Sequence, residues 1–570
     1  MEYLAHVLVM VCLYGILATS FNLLIGFGGI FALAHATFYA GGAYAAGILA
    51  TKLGIGFPFT LLAGMVVTAA IGLLVAFPAM RVGSHYLVVI TLALQAITID
   101  VLMNSKPLTG GPDGIAGIPP VSLFGTALNS PVAFLPLAAV MAALCCAVAW
   151  RLGASPFGRS LRAMRENEAA AQAVGKNLVR MKLVVFALSA GLASVAGTLV
   201  AHYIAFVNPE SFTIDETILI LAMVILGGMG NLWGSLAGAA ILVLLPEGLK
   251  FVHVPGDIAD MVRQAIYGVV LIVILRLRPE GLFPETVFRT PTGVARSSVP
   301  ANGPTHGPVS ALAHAEGTPG EVVLSAKSLA KHFGGIKAVK DLTIDLRRGE
   351  IVGLIGPNGA GKTTAFNLLS GFLRPTGGTI LYRGRDLTAL KPHEVVAAGL
   401  ARSFQDLKLF TKLSVVENIL VSLPGQPGDR PLDVYLRPGL VRRVEGENVV
   451  RALEIASFVG LLAKADEVAA NLSYAEEKLL GIARLLATGA DVLLLDEPLS
   501  GLDTVTVERI CGVIRDLARA NKAVCIIEHN LEVIRGVCDE IVFIDEGRVL
   551  TKGPPDTLMR DRELAERYFG

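Results

Sequence analysis

Charge is sparse in this chain. Only 17% of its 570 residues are Asp, Glu, Lys or Arg, against 53% in the apolar class. The mean hydropathy, +0.62, is above what a water-soluble protein carries. Net charge is missing as well: 48 basic residues meet 47 acidic ones, so no global field exists to draw nucleic acid or another polyanion. The same composition excludes disorder and collagen-like repeats. Cysteine is limited to Cys12, Cys145, Cys146, Cys511, Cys525 and Cys538. None forms a CxxC or has a His at metal-ligand spacing, and all six read as small buried hydrophobes. The opening residues, MEYLAHVLVM, lack the basic region and small-residue cleavage site of a signal peptide, so the first apolar run is expected to stay as a membrane span.

The charge that is present is unevenly placed. Up to Phe283 there are 14 Lys/Arg and 12 Asp/Glu, which leaves 34 and 35 for the remaining 287 residues. The chain therefore divides into a membrane domain (1–283), a linker (284–320) rich in Pro, Gly, Ser and Thr that suits a flexible tether, and a water-soluble domain (321–570). A length of 570 residues is more than one core serves.

A helix needs roughly 20 apolar residues to cross the hydrocarbon core. Nine stretches meet or approach that length: Ala5 to Ile25, Ile30 to Ala50, Phe57 to Phe77, Tyr86 to Met103, Pro131 to Trp150, Leu183 to His202, Thr217 to Leu226, Leu236 to Phe251 and Ile258 to Leu275. The seventh and eighth are short and Gly-rich and could form one re-entrant unit. Seven basic residues, Arg151, Arg159, Arg162, Arg165, Lys176, Arg180 and Lys182, gather between spans five and six, whereas Lys52 and Lys106 stand alone in the opposite loops. The positive-inside rule makes the basic loop cytoplasmic, with everything after Arg278 on the same side. Within it, Gly158 to Gly175 reads as one short amphipathic helix, suited to a groove on another protein or to the membrane surface. Gly230, Gly234 and Gly238 repeat every four residues, which places them on one helical face for close backbone approach. Thr109 to Pro120, TGGPDGIAGIPP, is a loop or a backbone nest. His35, Gln95, Asp100 and Glu247 are costly in lipid and should face protein or water.

The soluble part carries chemistry. An apolar strand, Ile351 to Ile355, enters Gly356-Pro357-Asn358-Gly359-Ala360-Gly361-Lys362-Thr363-Thr364, which fits GxxxxGK[ST]. Glycines let backbone N–H groups close round phosphates, the following helix points its positive end at them, Lys362 reaches the β/γ oxygens and Thr363 offers a hydroxyl to magnesium. The ligands expected are ATP and Mg2+. A second strand, DVLLLDEP, ends in Asp496 as a magnesium ligand and Glu497 to polarise the attacking water. A third, Ala523 to Ile527, is followed by Glu528 and His529, where a γ-phosphate sensor is needed.

With Asn471-Leu-Ser-Tyr-Ala-Glu-Glu-Lys478 between these elements, the region from Val322 to Gly570 resembles the ATP-binding subunit of ABC transporters. That resemblance implies that Gln405 couples magnesium and water to the membrane domain, that Phe333 stacks on adenine, and that Leu502 and Asp503 lie between paired ATPases. It also implies that Ser473 and Ala475 complete the ATP site of the opposite subunit. ARSFQDLKLFTKLSVVEN and the terminal Arg-Tyr-Phe-Gly resemble the branched-chain amino-acid subgroup. The segments Phe21 to Tyr44, Thr109 to Pro119, Gly158 to Gly175 and Gly227 to Ala239 resemble the permease of the same subgroup. The implied architecture is a polytopic all-α membrane domain of the type I importer class, with about nine spans, followed by an α/β P-loop ABC ATPase domain. In the importer coupling loop an EAA pattern leaves three residues before its Gly; here Glu168-Ala-Ala leaves four, which would put Ala169 at the Glu position. The signature LSGGQ or LSYGQ stands here as Leu472-Ser473-Tyr474-Ala475-Glu476, with a methyl and an anion added where the partner's phosphate is expected. An asymmetric pair follows, with the ATP on this chain's own phosphate loop the better-supported one.

The function implied is ATP-driven import of leucine, isoleucine and valine. Urea, short amides or aromatic acids are alternative solutes. An exporter half-transporter and an ATP-binding gating module without turnover are alternative classes. The implied setting is the cell inner membrane, with the ATPase domain cytoplasmic. The implied partners are a second permease and a second ATPase chain or a second copy of this chain, a solute-binding protein outside, the lipid bilayer, and no nucleic acid.

Overall fold

The computed structural model describes residues 1–79, 84–123, 125–249, 256–293 and 317–558. Phe251, the middle of the Pro/Gly-rich stretch and the terminal Arg-Tyr-Phe-Gly lie outside the described residues. The chain divides into two compact units, Met1–Arg165 with Leu178–Phe288, and Glu166–Asn177 with Arg289–Gly570.

The first unit is helical. Each of the nine apolar stretches falls on a helix: Glu2–Asn22, His35–Lys52, Phe59–Ala79, Ser84–Asn104, Pro131–Gly153, Leu178–Ile204, Ile214–Gly227, Leu232–Leu249 and Gly256–Leu277. Among the described residues, five are long and apolar enough to cross a membrane on those grounds alone: Glu2–Phe27, Phe59–Phe77, Tyr86–Asn104, Pro131–Gly153 and Leu178–Ile204. Leu178–Ile204 is central, with 78% of its apolar window buried against 22% for Tyr86–Asn104. The cause is its run of small residues. A Cβ on Gly197 would strike the Tyr39 carbonyl and one on Gly42 the Ser194 carbonyl, so helices His35–Lys52 and Leu178–Ile204 meet backbone to backbone. Gly234 and Gly238 likewise face the carbonyls of Gly227 and Met223 across two adjacent helices. Gly230 departs from the expected stripe: it lies before the helix, at φ +79°, in the turn that Asn22 braces by accepting its N–H at 2.8 Å.

The polar residues of the spans find protein partners where they are buried. His35 Nε2 lies 2.9 Å from Ser20 Oγ, and Gln95 Oε1 accepts the Thr37 N–H at 3.0 Å. Asp100 is exposed. Glu247 lines a cavity of about 610 Å³ with Asp215, Glu216, Tyr14 and Tyr267. TGGPDGIAGIPP is braced by a two-residue ribbon, Ile115–Ala116 against Phe206–Val207. The start of the expected tether is not loose: the N–H groups of Phe283 and Thr286 donate to the Gly227 and Gly230 carbonyls, and Asn231 donates to the Pro284 carbonyl.

Among the described residues, the second unit is built on a ten-stranded sheet. Its parallel part runs in the order Leu400–Arg402, Val492–Asp496, Ala523–Ile527, Ile351–Ile355, Glu540–Asp545. The three central strands are buried at every position, which is why they read as unbroken apolar runs. Their side chains alternate between two cores. Leu493, Leu495, Val524 and Ile526 join the helices Val415–Ser422, Pro438–Phe458 and Tyr474–Ala487, while Val492, Leu494, Cys525 and Ile527 join Lys362–Leu369.

The Gly158–Gly175 helix is two helices, Pro156–Glu166 and Glu168–Ala173. Asn167 interrupts them in extended backbone and caps the second by accepting the Ala170 N–H at 2.9 Å. Asn competes for backbone hydrogen bonds and favours caps over helix interiors.

Candidate functional site

Adjacent parallel strands place their carboxyl ends side by side. Asp496 is in register with Ile527, and Ile527 with Leu354. Ligands of open α/β sheets bind outside these ends, and four sequence elements leave the sheet here: the phosphate loop after Ile355, Gln405 after Arg402, Glu497 after Asp496 and His529 after Ile527.

In the phosphate loop, Gly356, Gly359 and Gly361 have φ of +154°, +84° and +102°. A Cβ on Gly361 would come 2.6 Å from the Ala338 carbonyl, so only glycine fits there. Lys362 Nζ donates to the Gly356 and Pro357 carbonyls at 2.7 and 2.9 Å, folded back over the loop it would share with phosphate. Burial lowers its pKa, opposed by the nearby Glu497 and Asp496 carboxylates. Asn358 and Thr363 are exposed, Thr364 is half-buried and Ala360 is buried.

Asp496 is 2% exposed and paired with Arg402 at 3.0 Å. Burial raises its pKa, with Arg402 opposing. Glu497 has φ +46°, a strained backbone for a residue with a side chain. It is held there because its N–H donates to the Ile527 carbonyl at 2.9 Å and its carbonyl accepts Lys478 Nζ at 2.8 Å. That backbone turns its carboxylate between two of the sequence-derived candidates: Gln405 Nε2 donates to Oε2 at 3.1 Å and His529 Nε2 lies 3.1 Å from Oε1. Glu528 is not beside them; its buried carboxylate accepts the Leu499 and His529 N–H groups and fixes the loop.

The donor set suits magnesium. Among the described residues no group of three or more His, Cys, Asp or Glu gathers for a metal. A hard cation that takes one or two protein oxygens and completes its shell with phosphate and water needs none. Thr363, Gln405 and the single carboxylate Asp496 fit that pattern.

The remaining candidates stand elsewhere in the unit. Phe333 ends strand Val322–Phe333, is 46% exposed, and has Lys331 Nζ 5.2 Å from its ring centroid. Asp503 caps helix Thr504–Arg519, accepting Thr506 N–H and Oγ1. Ser473 caps Tyr474–Ala487, and Ala475 lies in that helix's first turn. Glu476 does not project forward as an isolated anion. Its Oε2 accepts from Ser473 N–H at 2.9 Å, Ser473 Oγ at 3.0 Å and Lys464 Nζ at 2.9 Å. Burial pushes its pKa up, but these donors outweigh burial and hold it below the ordinary carboxylate value.

Arg402, Lys478 and Ser403, whose hydroxyl accepts the Asp496 N–H at 2.8 Å, escaped the sequence reading. The available signal was a lone Arg ending the apolar strand Leu400–Arg402, since a buried cation demands a counter-charge.

Residues Glu166–Asn177 cluster with this unit. Glu166 accepts Thr411 Oγ1 and Lys412 N–H at 3.1 Å each, and Lys176 Nζ pairs with Asp429 at 2.6 Å. Burial lowers the Arg484 pKa to about 10, opposed by Glu166. The short stretch from Gln405 to Lys412 therefore touches Glu497 at one end and Glu166 at the other.

A family model described as the permease component of branched-chain amino acid transport systems matches residues 3–275, and one for ABC transporters matches residues 339–500. The high-affinity branched-chain amino acid transport ATP-binding protein LivG of Salmonella typhimurium is 36% identical over 249 residues, 44% of this chain and 98% of that protein. BraF of Pseudomonas aeruginosa, also a branched-chain amino acid transport ATP-binding protein, is 33% identical over the same shares. LptB of Acidithiobacillus ferridurans, a lipopolysaccharide export system ATP-binding protein, is 36% identical over 248 residues, 44% of this chain and 97% of that protein. The soluble domain is a cytoplasmic ATPase and the helical domain a membrane-embedded permease. The chain belongs to the ABC transporters of the branched-chain amino-acid type and joins a permease component and an ATP-binding component in one polypeptide.

Proposed function

We propose that this chain supplies one permease and one ATPase to an importer of leucine, isoleucine and valine in the cell inner membrane. The membrane domain would cross about nine times, and the full transporter would add a second permease and ATPase, as distinct chains or a second copy, with a solute-binding protein outside. The observation that carries this reading is the convergence of Gln405 and His529 on Glu497, on a stretch that also holds Glu166. The cassette alone does not choose between import and export, because LivG and LptB are equally similar to it. The permease family favours branched-chain solutes.

In this reading Lys362 and the loop N–H groups bind the phosphates, and Glu497 takes a proton from the attacking water while His529 and Gln405 orient it. Magnesium, when bound at Thr363, Gln405 and Asp496, would neutralise phosphate charge. Phe333 would face adenine, and Ser473, Ala475 and Asp503 would face the partner cassette. The test is ATP-dependent uptake of labelled leucine by proteoliposomes holding the co-expressed complex. Accumulation only with ATP and the binding protein is expected, and ATP turnover with no uptake of leucine, isoleucine or valine would overturn the solute.

Glu166 gives a sharper prediction about coupling. Glu166→Ala removes the acceptor for Thr411 and Lys412 without touching the phosphate site. Solute moved per ATP is expected to fall at least about fivefold, the lower range of a coupling energy between sites. Parallel phosphate-release and uptake assays on one preparation check it.

A further inference from the structure

We propose that Lys464 is a positioning residue for ATP hydrolysis, neutralising Glu476 so that the carboxylate held in the capping box of helix Tyr474–Ala487 adds no negative charge facing the phosphates of a partner cassette. This rests on the proposed pairing of two cassettes and deepens it.

Three observations carry it. First, the Ser473–Glu476 pair forms a capping box: Glu476 N–H donates to Ser473 Oγ at 3.4 Å, and Glu476 Oε2 accepts both the N–H and the hydroxyl of Ser473. Such a box fixes the helix start but fastens a carboxylate to it. Second, that carboxylate sits where a helix N-terminus would otherwise offer positive potential to an anion. Third, Lys464, the last residue of the short turn Leu462–Lys464 that follows helix Pro438–Phe458, comes in at 2.9 Å on the same oxygen, with Glu467 farther away at 4.0 Å. Glu477, the next acid, has no such cation among the ion pairs of the described residues. Lys464 reaches Glu476 from outside the helix, so the box keeps its geometry while its charge is cancelled.

The consequence is specific. A glutamate in place of the usual glutamine need not repel the partner's ATP so long as Lys464 is present, and losing Lys464 exposes an anion that the box still holds in place. Between charges at close range and partly shielded from water, that repulsion is sizeable and is screened by salt.

The experiment uses the full complex in nanodiscs and compares wild type, Lys464→Met, Lys464→Arg and the double variant Lys464→Met with Glu476→Gln. Lys464→Met is expected to raise the KM for ATP about tenfold at low salt, with the deficit shrinking as ionic strength rises. Lys464→Arg and the double variant are each expected to return KM to within about twofold of wild type. A Lys464→Met protein with unchanged KM, or a deficit that neither salt nor Glu476→Gln relieves, would overturn the proposal; the latter marks a packing role. Glu497→Gln is measured alongside. Its loss of turnover together with a silent Lys464→Met sinks only this inference, whereas retained turnover in Glu497→Gln sinks the hydrolytic site proposed around Glu497, on which the inference rests.

Discussion

Glu497→Gln is expected to lower ATP turnover by about a thousandfold, within the range of a lost general base, and to stop uptake with it. The substitution isolates charge from shape. The carboxylate lies between Gln405 Nε2 and His529 Nε2 at 3.1 Å from each. A glutamine side chain is isosteric, keeps an oxygen for Gln405 and leaves the backbone anchors at Ile527 and Lys478 untouched. What it cannot do is accept a proton from water. A thousandfold loss corresponds to about 4 kcal/mol in the barrier. Nucleotide affinity should change little, because Lys362 and the loop amides remain. Phosphate release by the reconstituted complex, with equilibrium binding of a fluorescent ATP analogue, checks both halves. Turnover near the wild-type rate would move the base elsewhere, and uptake that persists after turnover is lost would favour a gating module that binds ATP without using it.

Why Glu497 was legible from sequence, and its supports were not, has a physical basis. Parallel strands buried on both faces must be apolar throughout, so each announces itself and its carboxyl end. The strand ends at Ile355, Asp496 and Ile527 then become neighbours as soon as the sheet order exists. Arg402 belongs to a strand only three residues long, and its partner is 94 positions away; nothing local links them. At Ser473 two patterns overlap: the family signature, and an S-x-x-E spacing to Glu476 that forms a capping box within one helical turn. The spans show a third limit. Ile214–Gly227 is only 14 residues long, and its Gly-rich neighbourhood reports close helix contact rather than the depth of membrane crossed. At Asn167 a single cap residue divided what apolar periodicity joined. Periodicity records which face is shielded, not whether the backbone is continuous.

Arg402→Met is expected to destabilise the soluble unit by about 3–5 kcal/mol, the cost of stranding one member of a buried ion pair. Arg402 and Asp496 are 4% and 2% exposed and lie 3.0 Å apart. The arginine also donates to Asn367 and lies 5.1 Å from the Phe404 ring. It thus joins the start of the Gln405 stretch to the helix behind the phosphate loop. Methionine fills much of the volume, so the loss is chiefly of charge. Burial already raises the Asp496 pKa against the pull of Arg402, and removing that pull raises it further. The sign of the pH dependence follows. A carboxyl whose folded pKa lies above its unfolded value costs stability at higher pH; that cost starts to fall as pH drops through the folded pKa and is gone below the unfolded value, where both states are protonated. The gap between wild type and Arg402→Met should therefore narrow as pH is lowered from neutral into the acid range. Thermal unfolding of the two proteins across that range measures it. A gap that stays constant would mean that Arg402 acts through its contacts with Asn367 and Phe404, and not through the charge of Asp496.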